Sequence, residues 1–426
     1  MAQQHRIVIV GGGAGGLELA TQLGQRIGKK KHIQITLVDS NLTHIWKPLL
    51  HEVAAGTMNA NNEEINYFAH AKKNHYQFKL GYLHSIDRKQ KEIVLAPLMQ
   101  GETELAKERR IAYDTLVLAI GSTSNDFGTV GAKQYCHFLD NRLQADNFQR
   151  DLLNLYLQAH AEPREKPLNI TIIGAGATGV ELAAELYQAA KDFHHYGLDG
   201  INPNSVKINI IEAADRVLPA LSKNVAQGAT QQLEKYGVQV YTAHKVEKID
   251  ADYVYCQDGK AFPSQLKVWA AGIKAPTVTQ NFSLSLDRIG RIKVYATLQS
   301  IDDADIFAFG DCAHCQPIAN QPALAPRAQV ASQQAVFLVD AIIAKVKGKT
   351  IPMFKFSDKG SLVSLTQHSA IGELLGNIHV EGLVAKTMYH SLYRVHQANV
   401  LGYTRTSLLA ARDLFGKGTS PVIKLH

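Results

Sequence analysis

The sequence predicts an α/β fold with two Rossmann-like units, the second inserted in the first, and a C-terminal module of strands and amphipathic helices. Three observations lead to this prediction. A glycine-rich turn between a strand and a helix occurs twice. Apolar strands that suit the first unit occur both before and after the second turn. From Leu383 onward the pattern becomes helical and basic.

The bulk composition is that of an ordinary globular protein. With 426 residues, 46% of them hydrophobic and 19% charged, the chain suits two or three domains. The net charge of +7 is modest and does not favour nucleic acid as a partner, but it leaves an anionic membrane surface open. Four cysteines predict no disulfide framework. The N-terminus, MAQQHRIVIVGG, has no basic segment followed by a long apolar region, so no secretory signal is predicted. No apolar stretch reaches about 18 residues without charges or glycine turns, so no transmembrane helix is predicted.

The first glycine turn follows the N-terminal strand. Arg6–Val10 is predicted as a buried parallel strand and Ala14–Ile27 as the next helix, with Gly11, Gly13 and Gly16 at the turn. In such a turn the first glycine reverses the chain, the second lets the backbone touch a pyrophosphate, and the third lets the helix pack closely on the strand. One such turn is a weak signal, because this glycine spacing also arises by chance.

The second glycine turn repeats this arrangement. A strand that starts at Leu168 leads to Gly174, Gly176 and Gly179, and an alanine- and leucine-rich helix follows. Two copies, each between a strand and a helix, form a strong signal. The sequence therefore predicts that the protein holds two dinucleotides at once.

An acidic residue ends the second strand of each unit. Ile33–Val38 leads to Asp39, and Val206–Ile211 leads to Glu212. A carboxylate at this place accepts hydrogen bonds from ribose hydroxyls. Glu212 would also repel a 2′-phosphate, so the second site is predicted to prefer NADH over NADPH. The nearby Arg216 is the one residue that could weaken this preference.

Further apolar strands end at residues suited to a ligand. These are Thr115–Ile120 before Gly121, Lys267–Ala271 before Gly272, and Asp305–Phe309 before Gly310 and Asp311. The first and the last of these strands suit the sheet of the first unit, which predicts the insertion. We therefore assign residues 1–125 and 287–350 to the first dinucleotide-binding domain, 126–286 to the second, and 351–426 to the C-terminal module.

The C-terminal region has the composition of a helix that lies in a membrane interface. It carries one acid, Asp413, against the basic residues Lys386, Arg394, Arg405, Arg412, Lys417 and Lys424. Apolar residues recur at helical spacing, namely Leu383, Val384, Met388, Tyr389, Leu392, Tyr393 and Val395, followed by Leu401, Leu408 and Phe415. This pattern predicts amphipathic helices that bind anionic lipid without spanning the bilayer. A helix in a soluble core or dimer is the alternative, and a homodimer stays open.

Several segments resemble the two-dinucleotide flavoprotein superfamily, and within it the type II NADH dehydrogenases (NADH:quinone oxidoreductases) of proteobacterial respiration. The segments are IVIVGGGAGGLELATQLG, ITLVDSNLTHIWKPLLHEVAAG, YDTLVLAIGSTSNDF, GAGATGVELAAEL, VWAAGIKAP, IFAFGDCA, PRAQVASQQA, GSLVSL and SLYRVHQ. They extend over nearly the whole chain in the family's order. The resemblance implies that the first unit binds FAD noncovalently, that the second binds NADH, and that Asp311 holds the flavin's ribityl chain.

The resemblance also implies roles for four residues. Glu181, on the first turn of the second helix, fits the family's active-site carboxylate, which steers the nicotinamide or relays protons to the quinone. Its position alone equally suits a carboxylate that complements the helix dipole. Lys47, in a segment predicted as a functional loop rather than core, would bring positive charge to the flavin. Gln329 and Gln333 share one helical face, and in the family this motif lines the quinone pocket.

Cys312 and Cys315 form a CAHC motif that invites a metal or redox interpretation. Two cysteines are half of a zinc site, and no second pair is present in the sequence. Disulfide-reductase relatives carry their redox pair in the early flavin loop, where this chain has WKPLLHEVA. We therefore predict free thiols and no metal site, and sulfide:quinone oxidoreductase activity is disfavoured.

Together these features predict an FAD-dependent NADH:quinone oxidoreductase that does not pump protons. It is expected to bind peripherally to the cytoplasmic face of a bacterial inner membrane, where a membrane quinone is the acceptor. The first alternative is a soluble flavoprotein reductase that passes electrons to a protein such as a ferredoxin. The second is a sensor or binding protein that holds FAD and NADH without useful turnover.

Overall fold

The structure of the chain is a computed structural model that describes residues 4–162, 166–198, 200–201, 205–318, 320–366, 369–375 and 378–416. Its helices are α1 (Ala14–Ile27), α2 (Leu50–Ala55), α3 (Tyr67–Lys73), α4 (Ala132–Tyr135), α5 (Arg142–Ala161), α6 (Ala177–His195), α7 (Lys223–Lys235), α8 (Ala328–Val346), α9 (Gly382–Leu401) and α10 (Tyr403–Gly416). Short 3-10 turns occupy Lys47–Leu49, Ala60–Asn62, Thr277–Phe282 and Gly310–Cys312.

An eight-stranded sheet forms the centre of the first domain. In spatial order its strands are Ala313–Cys315, Ile292–Val294, Gln299–Ser300, Asp303–Ala308, Thr115–Leu118, His5–Val10, Ile33–Asp39 and Gln77–Leu80. The strand Thr115–Leu118 pairs in parallel with both His5–Val10 and Asp303–Ala308. Strands from before and after the second unit therefore share one sheet, which confirms the predicted α/β fold. The domain boundaries given above stay a prediction.

The second domain is built on a four-stranded parallel sheet. Its spatial order is Gln239–Tyr241, Val206–Ile211, Leu168–Ile173 and Leu266–Trp269. A two-stranded link, Thr123–Ser124 with Ile273–Lys274, lies where the chain passes between the domains. Smaller antiparallel sheets complete the two domains: Arg109–Ala112, Glu92–Leu95 and Leu83–Asp87; Val246–Ile249, Tyr253–Cys256 and Ala261–Pro263; Thr43–His44 and Ile65–Asn66; Leu98–Gln100 and Thr103–Ala106.

The C-terminal module starts with the predicted antiparallel strands. Gly360–Thr366, Ser369–Leu374 and Ile378–Glu381 form a three-stranded sheet, and α9 and α10 follow it. The module packs on both nucleotide domains, because Val363 and Leu365 belong to the second core and Val400 belongs to the first. Among the described residues, no helix is both long and apolar enough to cross a bilayer.

The expectation that the segment around Lys47 is a loop outside the core is wrong. The 3-10 turn Lys47–Leu49 runs directly into α2, and Gly56 ends that helix in the left-handed region at φ 78°. Leu50 and Val53 are buried in the second core, against α5 and α6. The six-residue helix is too short to show a period in the sequence, so only its tertiary packing reveals it.

The prediction that the basic residues of the C-terminal region bind an anionic lipid surface is wrong for Lys386. Lys386 is buried on the inner face of α9. Arg394 pairs with Asp413, and Arg412 pairs with Asp413 at 2.7 Å and with Glu63 at 2.9 Å. Of the apolar stripe, Tyr389 and Tyr393 turn inward as well: Tyr389 bonds to Glu181 and Tyr393 to Glu63. Lys417 and Lys424 lie outside the described residues, and the side chain of Phe415 is not described.

A buried carboxyl group joins three helices at the first glycine turn. Glu18 of α1 is fully buried and accepts hydrogen bonds from Ser332 of α8 at 3.0 Å and from Asn399 of α9 at 2.9 Å. Burial raises the pKa of Glu18 from 4.5 to about 7, although these two bonds act in the opposite direction. The folded state therefore favours the protonated carboxyl, and burying the carboxylate costs stability.

We expect Glu18→Gln to stabilise the protein at pH 8 but not at pH 5. Between pH 4.5 and about 7 the folded state binds more protons at Glu18 than the unfolded state does, so stability falls as the pH rises through this window. The neutral amide of Glu18→Gln does not ionise, so the variant avoids this loss in the free energy of unfolding, which is on the order of 1–3 kcal/mol. Thermal midpoints of wild type and variant at both pH values measure it, with the exposed Glu234→Gln as control. An equal shift at pH 5 and pH 8 would contradict the prediction.

Candidate active site

The first glycine turn has the geometry that a pyrophosphate site requires. Gly11 has φ +102°, and a Cβ atom there would lie 2.3 Å from the carbonyl oxygen of Ala119. At Gly16 a Cβ atom would lie 1.8 Å from the carbonyl oxygen of Gly11, so only glycine lets α1 pack this closely. At Gly13, the N-cap of α1, nothing lies within 4 Å of a Cβ position. The helix N-terminus therefore faces open space where an anion can approach the backbone.

The second glycine turn repeats this geometry. Gly174 has φ +106°, and its Cβ position lies 2.7 Å from the backbone of Ala271. At Gly179 a Cβ atom would lie 2.0 Å from the carbonyl oxygen of Gly174, and at Gly176 the Cβ position is open. The structure thus contains two glycine turns of similar geometry, one in each domain.

The two predicted ribose acids occupy equivalent positions. Asp39 accepts a hydrogen bond from the backbone N–H of Gly12 at 2.6 Å, and Glu212 accepts one from Ala175 at 2.7 Å. Each acid is therefore held at its turn with carboxylate lone pairs left for a ribose. The guanidinium of Arg216 contacts Asp215 at 3.2 Å and the carbonyl of Pro219 at 3.3 Å.

Residues from four parts of the chain meet beside the first turn. The ammonium group of Lys47 donates to the carbonyl of Ser122 at 2.8 Å, and the Ser122 hydroxyl donates to Asp311 at 2.8 Å. The backbone N–H of Gly310 donates to the side chain of Gln334 at 2.8 Å, which ties this group to α8. Gly121 precedes Ser122 with φ +69°. The structure thus brings Lys47, Gly121 and Asp311 together, and their roles toward a flavin stay a prediction.

The remaining predicted residues, Gly272, Gln329 and Gln333, contact other segments of the chain. Gly272 has φ +66°, and its Cβ position lies 2.4 Å from the ring of Phe127. Gln329 and Gln333 share a face of α8, as predicted, and that face packs on residues 357–360. Gln329 donates to the carbonyl of Gly360 at 3.0 Å, and Gln333 donates to that of Ser357 at 2.8 Å. Both amides thus hold the backbone that leads into the strand Gly360–Thr366.

Glu181 lies at a buried junction of α2, α6, α9 and the strand Gly360–Thr366. One carboxylate oxygen accepts the backbone N–H of Ser364 at 3.0 Å, and the other lies 3.5 Å from Nδ1 of His51. The buried Lys386 donates to the hydroxyl of Ser364 at 2.6 Å, and Tyr389 bonds to Glu181. Burial raises the pKa of Glu181 to about 7.

Sequence reasoning missed most of this junction. His51 and Ser364 were not singled out, and Lys386 and Tyr389 were counted among the residues of the lipid-binding helices. These residues lie up to 338 positions apart, from His51 to Tyr389. No local spacing connects them, but the burial of an ionisable residue on an apolar helix face is a signal that a partner lies opposite.

Cys312 and Cys315 are free thiols, as predicted. Both are buried, and burial raises the pKa of each thiol to about 11. The Cys312 thiol donates to the backbone carbonyl of Phe309 at 3.3 Å. Thiols with such pKa values are poor nucleophiles and poor metal ligands at neutral pH.

Comparisons with known proteins fit this geometry. A family model for pyridine nucleotide-disulphide oxidoreductases matches residues 5–335. A type II NADH:quinone oxidoreductase from Haemophilus influenzae is 41% identical, and the match covers 99% of both chains. The chain belongs to the type II NADH:quinone oxidoreductases. This membership confirms the family and the reaction class that the sequence predicts.

Other type II NADH:quinone oxidoreductases are similar along most of the chain. Ndh of Mycobacterium tuberculosis is 27% identical over 94% of this chain and 85% of its own. The solved structure of NDH2 from Plasmodium falciparum in complex with NADH matches with a TM-score of 0.85, covering 99% of this chain and 100% of that one at 20% identity. A sulfide:quinone oxidoreductase from Aquifex aeolicus has the same fold, with a TM-score of 0.72 at 16% identity.

Proposed function

We propose that this type II NADH:quinone oxidoreductase binds FAD at the first glycine turn and NADH at the second, and receives a membrane quinone on the side of Glu181. FAD held there would supply two-electron chemistry, by which NADH, a proton and the quinone give NAD⁺ and the quinol without proton pumping. The protein's own residues bind and orient these molecules and keep water from the reacting atoms.

The observation that carries this proposal is the short segment from Lys47 to His51. Lys47 contacts Ser122 in the first domain at 2.8 Å, whereas His51 lies 3.5 Å from Glu181 in the second. The five residues from Lys47 to His51 therefore connect the two half-sites through a 3-10 turn and the start of a helix. Hydride transfer needs reacting atoms about 3–3.5 Å apart, and a rigid link between the two sites favours such a geometry.

The residues of the first site suit FAD in three respects. The open N-terminus of α1 at Gly13 can receive a pyrophosphate. Asp39 can accept hydrogen bonds from the ribose, and Asp311 can accept them from the ribityl hydroxyls. Lys47 is held by the carbonyl of Ser122 and would bring its positive charge to a flavin ring bound here. This charge complements negative charge that develops on the ring.

Titration of the visible spectrum tests the proposed function. We expect purified protein to be yellow, NADH to bleach the flavin band, and an added quinone to restore it. Bleaching by NADH without restoration by quinone would favour a reductase with a protein acceptor. A protein that retains FAD and is not bleached by NADH would be a binding protein without turnover, and either outcome would overturn the proposal.

Glu212 is proposed to select NADH. We expect wild type to prefer NADH over NADPH, and Glu212→Gln to raise KM for NADH by about tenfold to a hundredfold. The reason is that a charge-assisted hydrogen bond contributes about 1.5–3 kcal/mol. The same variant should narrow the gap to NADPH, because the repelling carboxylate is gone. Steady-state kinetics with both nucleotides measures this, with exposed Glu247→Gln as control. Equal kcat/KM for NADH and NADPH in wild type would contradict the assignment.

Gln329 and Gln333 are proposed to act on the quinone side by positioning the backbone of residues 357–360. This backbone continues into the strand whose Ser364 holds Glu181. Gln333→Leu removes two hydrogen bonds to Ser357. We expect flavin reoxidation by quinone to slow by about tenfold, since each bond contributes about 0.5–1.5 kcal/mol.

Stopped-flow measurement of the two half-reactions checks the Gln333 prediction. Flavin reduction by NADH should stay within about twofold of wild type, because the second glycine turn is untouched. Exposed Gln231→Leu on α7 is the matched control and should leave both steps unchanged. A variant slowed only in the NADH step would show that this helix face belongs to the nucleotide site.

Peripheral membrane binding through α9 and α10 completes the proposal. The exposed apolar residues of these helices are Leu383, Val384, Leu392, Val395, Tyr403 and Leu408. Such a surface suits a helix pair that lies in the headgroup region. Because NADH is supplied from the cytoplasm, we propose the cytoplasmic face of the inner membrane. A membrane quinone then reaches Glu181 from the side of α9.

A further inference from the structure

A cluster of metal-ligating side chains lies behind Glu181. His51 and Glu52 of α2 face Glu185 of α6, and one ligand atom from each lies within 4.8 Å of the other two. His51 is 2% exposed, Glu185 is 4% exposed, and the Glu52 side chain is 14% exposed. The reaction proposed above assigns no task to Glu52 or Glu185, and none to the imidazole of His51 beyond its contact with Glu181.

One ring nitrogen of His51 has no partner in this cluster. Nε2 is buried, makes no hydrogen bond within the described part of the chain, and lies 3.9 Å from a carboxylate oxygen of Glu52. The imidazole also bonds to the carbonyl of Pro48. Because Nε2 is unpaired, Nδ1 carries the proton of that bond, and Nε2 directs a lone pair at the carboxylates. A buried acceptor without a donor calls for a ligand that accepts its lone pair.

The charges of the cluster favour a cation. Three carboxyl groups, those of Glu52, Glu181 and Glu185, face the single ammonium group of Lys386. Burial raises the pKa of Glu52 and Glu185, and the neighbouring carboxylates raise that of Glu52 further. When all three carboxyls are ionised, one divalent cation balances the excess negative charge. The neutral imidazole suits such an ion, since burial lowers the pKa of His51 to about 3.

We propose that His51, Glu52 and Glu185 bind one divalent transition-metal ion of the Zn²⁺ class. One imidazole nitrogen and two carboxylate oxygens form a donor set that Zn²⁺ accepts, with the fourth position left to water. Ligand atoms around a tetrahedral Zn²⁺ lie about 3.4 Å apart, so the side chains need to close by about 1 Å. The partly exposed Glu52 provides the entry path. Thr57 donates to Glu185 at 2.7 Å and orients its carboxylate.

The expected effect of the ion follows from its neighbours. It would lie against Glu181, which is 3.5 Å from the other nitrogen of His51. We expect bound Zn²⁺ to slow flavin reoxidation by quinone more than flavin reduction by NADH. This effect rests on the proposed role of Glu181, whereas metal binding itself does not.

Titration of the metal-free, FAD-loaded protein with Co²⁺ tests the binding site. Tetrahedral Co²⁺ absorbs at longer wavelengths than the flavin, and Zn²⁺ should remove this band with one equivalent. His51→Ala and the near-isosteric Glu185→Gln should each weaken binding by at least about tenfold. The matched control is His244→Ala, because His244 and Asp258 form a second histidine–carboxylate pair, 2.7 Å apart. That variant should bind metal as wild type does.

The outcomes separate the metal site from the proposed function. Wild type without the band would overturn the metal site. Loss of the band in His244→Ala alone would overturn it as well and show an adventitious ion only. Equal affinity in wild type, His51→Ala and Glu185→Gln, all with FAD retained, would overturn it as well. A site that binds Zn²⁺ while the quinone step keeps its rate would support the metal site and remove Glu181 from the quinone reaction.

Discussion

Replacing Gly176 with valine is expected to abolish flavin reduction by NADH while the protein stays folded and yellow. Gly176 has φ −69° and ψ −178°, which valine adopts without strain, and nothing lies within 4 Å of its Cβ position. In the proposed function, the space that the side chain would fill is where the backbone touches the pyrophosphate of NADH. A displacement of about 1 Å costs about a hundredfold in rate, so we expect a loss at least that large at fixed NADH.

Two further glycine variants make this prediction specific. Gly13→Val, at the same place in the first turn, should remove FAD and its colour. Gly179→Val should destabilise the fold itself, because its Cβ would lie 2.0 Å from the backbone of Gly174. FAD content, thermal midpoint and flavin bleaching by NADH are measured on all three. If NADH reduced the flavin of the Gly176→Val variant at the wild-type rate, the second turn would not be the nucleotide site.

The sequence was sufficient for the parts that local chemistry determines. A pyrophosphate requires glycines at fixed spacing, and each such turn needs a strand before it and a helix after it. The helix Ala14–Ile27 and the strand Val206–Ile211 therefore lie where the sequence predicts them. The shared sheet was also predictable, because the apolar strands before Gly121 and before Gly310 both suit the sheet of the first unit, and the two strands are indeed paired.

The parts that depend on packing between distant segments were not predictable. The spacing of apolar residues in α9 predicts an apolar face of the helix, but it does not show whether that face contacts the protein or lipid. Lys386 was therefore predicted to lie at the lipid surface. The short α2 has too few turns for a periodic signal. Its His51 gains a role only because α6 and the C-terminal strands close over it. A single sequence does not show that residues so far apart along the chain, such as His51 and Ser364, are close in space.

Burial or ion pairing of the C-terminal basic residues lowers the electrostatic contribution that is expected for membrane binding. Lys386 holds Ser364, and Arg394 and Arg412 are paired with carboxylates. Of the basic residues described in this region, Arg405 alone combines high exposure with the absence of an ion pair. An anionic surface contributes about 1 kcal/mol for each nearby basic residue. Binding should therefore come mainly from apolar burial, and salt should weaken it little.

Replacing Val384, Leu392, Val395 and Leu408 together with glutamate is therefore expected to release the protein from membranes. Each side chain is at least half exposed, and its burial in the headgroup region contributes about 1 kcal/mol. Four such losses lower the partition coefficient by about a thousandfold, before the cost of inserting carboxylates is counted. Leu143→Glu with Leu157→Glu, on exposed positions of α5, is the matched control and should stay bound. Co-sedimentation with anionic and neutral vesicles at low and high salt measures the effect, and flavin bleaching by NADH should persist in all variants. Two results together would contradict this prediction. Release of wild type by high salt would show that the contact is electrostatic, and a fourfold variant that stays bound to vesicles would show that it lies on another surface.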